Sequence, residues 1–282
     1  MTALDHRGLT YRVPAVGFHA GELAVQRKAG VAYDASRLEG MLRPPLLDGG
    51  AAKFLAQREF AVITARDTDG RLWTSPLHGP AGFLEAGGTT LTVHAAPPAG
   101  DPLHLMPDDQ SAGLIVIEFA IRRRFRVNGT LTVSAADTLE LTADQAYGNC
   151  PQYIHPRPLP PATDGPTTRT ADGLLGQELI ERSDTFSLGT THAERGADSS
   201  HKGGTVHLDG DELWWADQPG NNMFNSLGNL AVDPTASLLF VDFSSGASLH
   251  LSGRATIDWD APTGTGRAVR FTTDRSVLTG SV

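Results

Sequence analysis

The chain of 282 residues reads as a mainly β protein with flanking helices, an α+β chain built from two tandem β units. Three observations predict this. Long stretches alternate apolar and polar residues with a period of two, the pattern of extended chain with distinct faces. One order of events (a helix, two hairpins, then a longer hairpin) occurs twice at a spacing of roughly 120 residues, which suits a duplicated domain and is too long for a solenoid repeat. The 31 glycines and 18 prolines favour many short elements joined by turns.

The elements follow in order. From Glu22 to about Lys53 the chain reads as helical with breaks, Ala24, Val25, Lys28 and Ala29 forming a short amphipathic run before Pro44-Pro45 stops it. LLDGGAAKFLAQREF is a helix that delivers the chain into the first strand, with Phe54 and Leu55 on its buried side. FAVITARDTDGRLWTSPL then makes a hairpin turning at Asp69-Gly70, and GFLEAGGTTLTVHAA another turning at Gly87-Gly88. AGLIVIEFAIRRRFRVNGTLTV supplies two long strand-like runs with Asn128-Gly129 at a turn. Extended chain puts Ile115, Ile117, Phe119, Ile121, Phe125 and Val127 on one face, and Glu118, Arg122, Arg124 and Arg126 on the other. The stretch from Leu139 to about Ala171 starts as a helix candidate and continues as a proline-rich extended connection. ADGLLGQELIERSD is a second amphipathic helix, with Leu174, Leu175, Leu179 and Ile180 along one side.

After it the events return. TFSLGTTHAERGADSSHKGG parallels the first hairpin, HLDGDELWWADQPG the second, and ASLLFVDFSSGASLHLSGRATI the long one. The expected division is an N-terminal helical segment over 1–53, a first half over 54–141, a linker over 142–172 and a second half over 173–282.

Composition narrows the function classes. A formal charge of −9 gives no invitation to nucleic acid or to an anionic membrane. No apolar run approaches the roughly 20 residues that span a bilayer, and no basic stretch followed by an apolar run opens the chain, so a soluble cytoplasmic location is expected. Cys150 is the only cysteine, which excludes an internal disulfide, a cysteine-ligated zinc site and a four-cysteine iron–sulfur cluster. The 10 histidines show no ligand spacing, and no metal site is expected.

Two segments concentrate chemistry. Ser199 to Gly204, SSHKGG, ends the loop of the second half's first hairpin and opens the next strand. Its hydroxyls, imidazole, ammonium and pliant backbone suit a phosphate, or else make a solvated loop. Pro219 to Pro234 carries Asn221, Asn222, Asn225, Ser226 and Asn229 with Leu227, Leu230 and Val232 between them. That is a helix packed at a polar site, since capping and turn chemistry accounts for one or two asparagines and not for the set. Tyr147 to Arg157 is dense in groups that hydrogen-bond or stack, and reads equally as a linker packed through its tyrosines. Three patterns fail: Ser199-x-x-Lys202 lacks the companion motifs of a lactamase, His19-x-x-Glu22 lacks a third ligand and reads as local polar structure, and Gly264-x-Gly266 lacks a dinucleotide-binding setting.

FHAGE near the start, TSPLHGPAGFL, RRRFRVNG, YGNCPQYI, SHKGG, PGNNMFNSLGNLAVDP and LLFVDF with LSGRA together resemble the pyridoxamine 5′-phosphate oxidase-like superfamily of FMN-binding split β-barrels, closest to a bacterial branch with a duplicated barrel. The resemblance runs over nearly the whole chain. It implies two tandem split barrels forming an intrachain pseudo-dimer, with FMN in the groove between them. The family's phosphate-holding positions match Ser200, His201 and Lys202 in the first hairpin of the second half, and Asn222, Asn225 and Ser226 before the next helix. The first half offers Thr74 and Ser75 in the matching hairpin and no lysine, so one good flavin site anchored by the second half is expected. The basic strand face either borders that groove or pairs with Glu118 and other carboxylates.

The function this implies is an FMN-dependent oxidoreductase acting on a small organic substrate, with oxidase and reductase both open and a separate electron donor and a homodimer both compatible. His201, Tyr153 and His155 are the acid–base candidates. The family's C-terminal substrate-binding tail is not recognisable before Val282, so oxidation of pyridoxamine phosphate itself is not expected. The rival readings are a binder of deazaflavin F420 or haem on the same fold, or a flavin-free interaction domain.

Overall fold

The computed structural model describes residues 2–4, 10–12, 16–42, 45–162, 167–220 and 222–280. Strands take 43% of the chain and helices 14%, so the fold is mainly β. A hairpin of β1 (Thr2–Leu4) and β2 (Thr10–Arg12) precedes α1 (Ala20–Lys28), α2 (Ala32–Ser36) and α3 (Gly49–Leu55). The first sheet contains β3 (Phe60–Arg66), β4 (Leu72–His78), β5 (Leu84–Gly87), β6 (Thr90–Val93), β7 (Gln110–Glu118), β8 (Arg123–Ser134) and β9 (Leu139–Asn149). The second contains β10 (Thr168–Asp172), β11 (Thr185–His192), β12 (Gly196–Gly203), β13 (His207–Asp209), β14 (Glu212–Ala216), β15 (Thr235–Val241), β16 (Ser248–Asp258) and β17 (Ala268–Thr279). Two short helices, α4 (Gln177–Arg182) and α5 (Asn225–Leu230), belong to this second unit.

The duplication is visible in the topology. One sheet runs β4-β3-β7-β8-β9-β6-β5 and the other β12-β11-β15-β16-β17-β14-β13, the same antiparallel order twice, with β10 added on β17. Registers repeat as well. Ile63 faces Ser75 and Leu114 as Leu188 faces Ser200 and Leu238. Both long hairpins carry a bulge at the same place, after Asn128 and after Ser252. Each bulge needs glycine: a Cβ on Gly129 would lie 2.0 Å from the Thr142 carbonyl oxygen, and one on Gly253 would lie 2.0 Å from that of Thr272.

Each sheet has its own core. Leu91, Leu114, Val127 and Leu141 sit in the first, and Leu188, Leu213, Phe240 and Phe271 in the second. A third cluster joins them: Phe60, Val62, Ile115, Ile117 and Phe119 of the first unit pack with Leu239 of the second and Ile154 of the connection. At the centre of this interface the backbones nearly touch. A Cβ on Gly113 would stand 2.7 Å from the Ser199 amide nitrogen, and one on Gly189 would stand 2.4 Å from the Thr74 and Ser237 hydroxyls. Thr64, Thr74 and Ser237 form a buried hydroxyl chain there, at 2.9 and 2.7 Å.

Several expectations are corrected. Asn128-Gly129 is the mid-strand bulge, and the turn of the long hairpin is Phe119 to Arg122, with Arg122 at φ 53°. The single face drawn through this run is therefore broken; Ile121 is exposed and Phe119 is buried. The stretch from Leu139 is strand, because Leu139, Leu141 and Ala143 alternate into the first core. The first sheet thus reaches Asn149, past the expected boundary at 141, and β10 already belongs to the second sheet. SSHKG is strand, with Ser199, Ser200 and His201 buried. His19-x-x-Glu22 is local polar structure, as read from the sequence: it forms a capping box in which the His19 side chain accepts from the Gly21 amide at 3.1 Å and the Glu22 carboxylate accepts from the His19 amide at 2.8 Å. α1 then crosses α5 at a glycine pair, where a Cβ on Gly21 would lie 2.2 Å from the Gly228 carbonyl oxygen.

Candidate functional site between the two units

The pseudo-twofold arrangement sets β8 of the first unit beside β12 of the second. Alternation along β8 sends Arg124, Arg126 and Asn128 to one side. There Asp198 of β12 accepts from Arg126 at 2.8 Å and from Asn128 at 2.9 Å, and Arg126 also donates to the Tyr147 hydroxyl at 3.2 Å. All four side chains are buried. Burial opposes the Arg126 charge, but Asp198 and Tyr147 outweigh it and hold its pKa above the ordinary value; burial pushes the Tyr147 phenol up. The basic face thus divides: Arg126 pairs with a carboxylate of the other unit, while Glu118 is taken by Arg58.

Further along, a cleft opens between the units, walled by Arg124 and Tyr153 on one side and by Lys202, Trp215, Asp217 and Phe224 on the other. Its enclosed part is about 60 Å³, room for a few waters or one phosphate-sized anion. Burial lowers the Lys202 pKa to about 8, and its ammonium is in no ion pair among the described residues. Arg124 donates to the His201 carbonyl at 2.9 Å while its Nε is buried without a partner, and burial followed by the Arg126 charge lowers its pKa to about 10. Asp217, the carboxylate in the cleft wall, is bound by Arg267 at 2.9 Å. Two cations from different units therefore meet at one cleft, where Asp217, shared with Arg267, offsets only part of the Lys202 charge.

His201 is held neutral: burial and then Arg124 lower its pKa well below 6.5. Its ring lies 3.2 Å from an Arg124 donor at Nδ1 and 2.5 Å from the Thr185 hydroxyl at Nε2. Arg124 can only donate, so Nδ1 accepts and Nε2–H donates to Thr185. Both nitrogens are engaged, and the ring orients Arg124.

The structure distributes the expected site residues unevenly. His201, Lys202 and Ser226 line the cleft, with Ser200 behind it, 3.0 Å from the Ser226 hydroxyl. Tyr153 lines it too, at φ 103° over Gly203, its hydroxyl donating to the Pro219 carbonyl at 2.7 Å. Asn225 turns away and donates to Glu22 at 2.5 Å; burial raises that carboxyl to about 7. Asn229 likewise serves the packing of α5, bonding Thr190 and His19. Asn222 is half-buried outside the cleft wall, and Asn221 lies outside the described residues. His155 is exposed and pairs with Asp184 at 3.1 Å. Thr74 and Ser75 are fully buried in the interface, away from the cleft.

Ser75 belongs to the pseudo-symmetric groove, which is filled. Its hydroxyl donates to Asp101 at 2.6 Å, and His250, which stands where Arg126 stands in the other groove, lies 3.7 Å from the same carboxylate and 2.9 Å from the Thr74 carbonyl oxygen. Pro76 and Leu77 occupy the registers of His201 and Lys202. Arg124, Trp215, Asp217 and Phe224 were not singled out as site residues from sequence; the basic strand was the one signal for Arg124. Among the described residues no cluster of three His, Cys, Asp or Glu side chains could hold a metal, and no helix is long and apolar enough to cross a membrane.

Comparison with known proteins agrees with this fold. Residues 176–266 match the family model described as pyridoxamine 5′-phosphate oxidase, which places the second unit in the pyridoxamine 5′-phosphate oxidase-like superfamily. The repeated strand order gives the first unit the same architecture. No curated protein matches the chain. Similar solved structures include a Clostridium acetobutylicum protein related to general stress protein 26 of B. subtilis (pyridoxinephosphate oxidase family; 20% identity, 37% of this chain and 84% of that one, TM-score 0.29). HutZ, the haem storage protein from Vibrio cholerae, is 12% identical over 37% of this chain and 91% of that one, TM-score 0.30. An FAD-binding protein from Mesorhizobium loti is 13% identical over 41% and 99%, TM-score 0.31.

Proposed function

We propose that the protein is an FMN-dependent oxidoreductase acting on a small organic molecule, with one flavin per chain in the cleft between the units. The observation that carries the reading is the meeting of Lys202 and Arg124, from opposite units, with neither in an ion pair among the described residues and with Asp217, the carboxylate of the cleft wall, already held by Arg267. The donor set fits a phosphate: an ammonium, a guanidinium with a buried unpartnered Nε, and the Ser226 hydroxyl. The three-ring system is too large for the enclosed part and belongs at its open mouth.

When bound, FMN supplies hydride or electron transfer at its ring. The chain's own residues bind and orient. Lys202 provides the charge, Arg124 is aimed by His201, and Tyr153 ties the connecting segment to Pro219 over the cleft. Neither His201 nor Tyr153 has a free proton-transfer position, so the structure favours positioning roles for both over the acid–base roles considered from sequence. The same geometry weighs against haem, since His201 is the histidine in the cleft wall and both its nitrogens are engaged. An absorption spectrum after mixing with FMN and removing the excess tests the reading: a retained flavin band that weakens in Lys202→Ala supports it. A protein that never retains FMN sinks it, and retention of deazaflavin F420 instead would transfer the site to that cofactor.

A further inference from the structure

A second cavity, of about 470 Å³, lies in the first unit between α3, the turn into β8 and the end of β9. Arg122, Arg123 and Arg124 border it, with Phe54 and Phe125 as apolar wall and Asn149 at its edge. Among the described residues none of the three arginines is in an ion pair. The nearest carboxylate in sequence, Glu118, is taken by Arg58. Among the described residues Arg122 donates to the Pro151 carbonyl alone, at 3.4 Å, and Arg123 lies 5.1 Å over the Phe54 ring. The Asn149 Oδ1, an acceptor, is buried without a partner and is open to a donor group of a ligand. In a chain of net charge −9, the two exposed guanidinia of Arg122 and Arg123, in no ion pair among the described residues and set beside an apolar-walled cavity, offer a site for an anion. The volume lies within the range of small-molecule pockets.

We propose that this cavity binds a phosphate-bearing aromatic molecule of nucleotide size, its phosphate on Arg122 and Arg123 and its ring against the Phe54–Phe125 wall. Arg124 borders both this cavity and the Lys202 cleft, so the two are neighbours. The ligand is then either the nucleotide end of a flavin dinucleotide seated in the cleft or a separate phosphorylated substrate.

Cys150 gives a clean reporter. It is exposed, the only cysteine, and sits between Asn149 and Pro151 at the cavity edge. The experiment measures alkylation of Cys150 by N-ethylmaleimide and calorimetric binding, with ADP, FMN and FAD as probes, on the wild type, Arg123→Gln, Arg122→Gln and Lys202→Met. ADP is expected to slow alkylation and to bind about tenfold or more weakly to either arginine variant, and equally well to Lys202→Met. FAD binding more tightly than FMN, with the advantage lost in Arg123→Gln, assigns the cavity to the dinucleotide end. ADP binding undiminished beside saturating FMN, with FAD no tighter than FMN, assigns it to a separate ligand. Absence of ADP binding, or binding indifferent to both arginine changes, overturns the inference. Loss of ADP binding in Lys202→Met alone overturns it too, by placing the nucleotide in the cleft. Flavin failing to bind while ADP behaves as expected defeats the proposed function and leaves this inference standing.

Discussion

Replacing Lys202 by methionine should stabilise the free protein while abolishing its grip on flavin. A pKa held at about 8 instead of 10.5 means that the charged ammonium costs the folded state about 3 kcal/mol. Solvent at the cleft mouth screens part of this, so the expected gain for Lys202→Met at pH 7 is about 1–3 kcal/mol, several degrees in Tm. The sign follows from linkage. A lysine whose folded pKa is depressed destabilises the fold fully below pH 8, where both states are protonated. The penalty fades between 8 and 10.5 as the folded form loses its proton first, and vanishes above. Urea denaturation of both proteins at pH 7 and pH 10.5 should therefore show a gain that shrinks towards zero at the higher pH. Adding FMN at pH 7 should reverse the order, because ligand binding raises the stability of the wild type alone. Its affinity for the phosphate should itself fall as pH rises past about 8. A variant less stable than wild type at pH 7, or a gain equal at both pH values, would refute the reasoning.

Other outcomes follow from the interface. Gly113→Ala puts a Cβ 2.7 Å from the Ser199 amide across the two units, and should cost about 1–3 kcal/mol or more by urea denaturation. Asp198→Leu leaves Arg126 charged, buried and unpaired, a loss of about 3–5 kcal/mol, and Arg126→Leu in the same chain should return much of it. Spectroscopic titration should reach one FMN per chain and not two, since the groove around His250 is filled by Ser75 and Asp101.

The architecture was legible because its signals are local. Period-two alternation, turn glycines and the repeated order of hairpins each act within a few residues, and the two sheets carry them out. The errors arose where tertiary context decides. Asn128-Gly129 has turn chemistry, yet the same glycine suits a bulge, and only the approach of Thr142 selects between them. Asn225 and Asn229 looked like ligand groups because no sequence rule shows that α1 crosses α5 and takes them up through Glu22, His19 and Thr190. Lys202 was readable as a cation among hydroxyls. Its partner Arg124 sits in the other unit, and that pairing exists only once the units dock.

Duplication inside one chain explains why the two grooves differ. In a dimer of identical chains every exchange of residue alters both grooves at once, so neither can be given up without the other. Here the exchanges are one-sided. Lys202 faces Leu77 across the pseudo-twofold, His201 faces Pro76, Asp198 faces Trp73, and Arg126 faces His250. Each exchange removes a donor or a charge from the first-half hairpin or the second-half strand, and each fills the vacated space with apolar bulk or an internally satisfied group. Trp73 donates to Asp67 at 2.7 Å, and Ser75 to Asp101, so the closed groove leaves those groups bonded within the protein. The open groove does the reverse, collecting guanidinium and ammonium groups at a cost in stability. Lys202 and Arg124 are half-buried there without an ion pair among the described residues, an arrangement that a bound anion would complete. The asymmetry thus supports the proposed ligand site in one groove, while its twin is filled by residues of the interface.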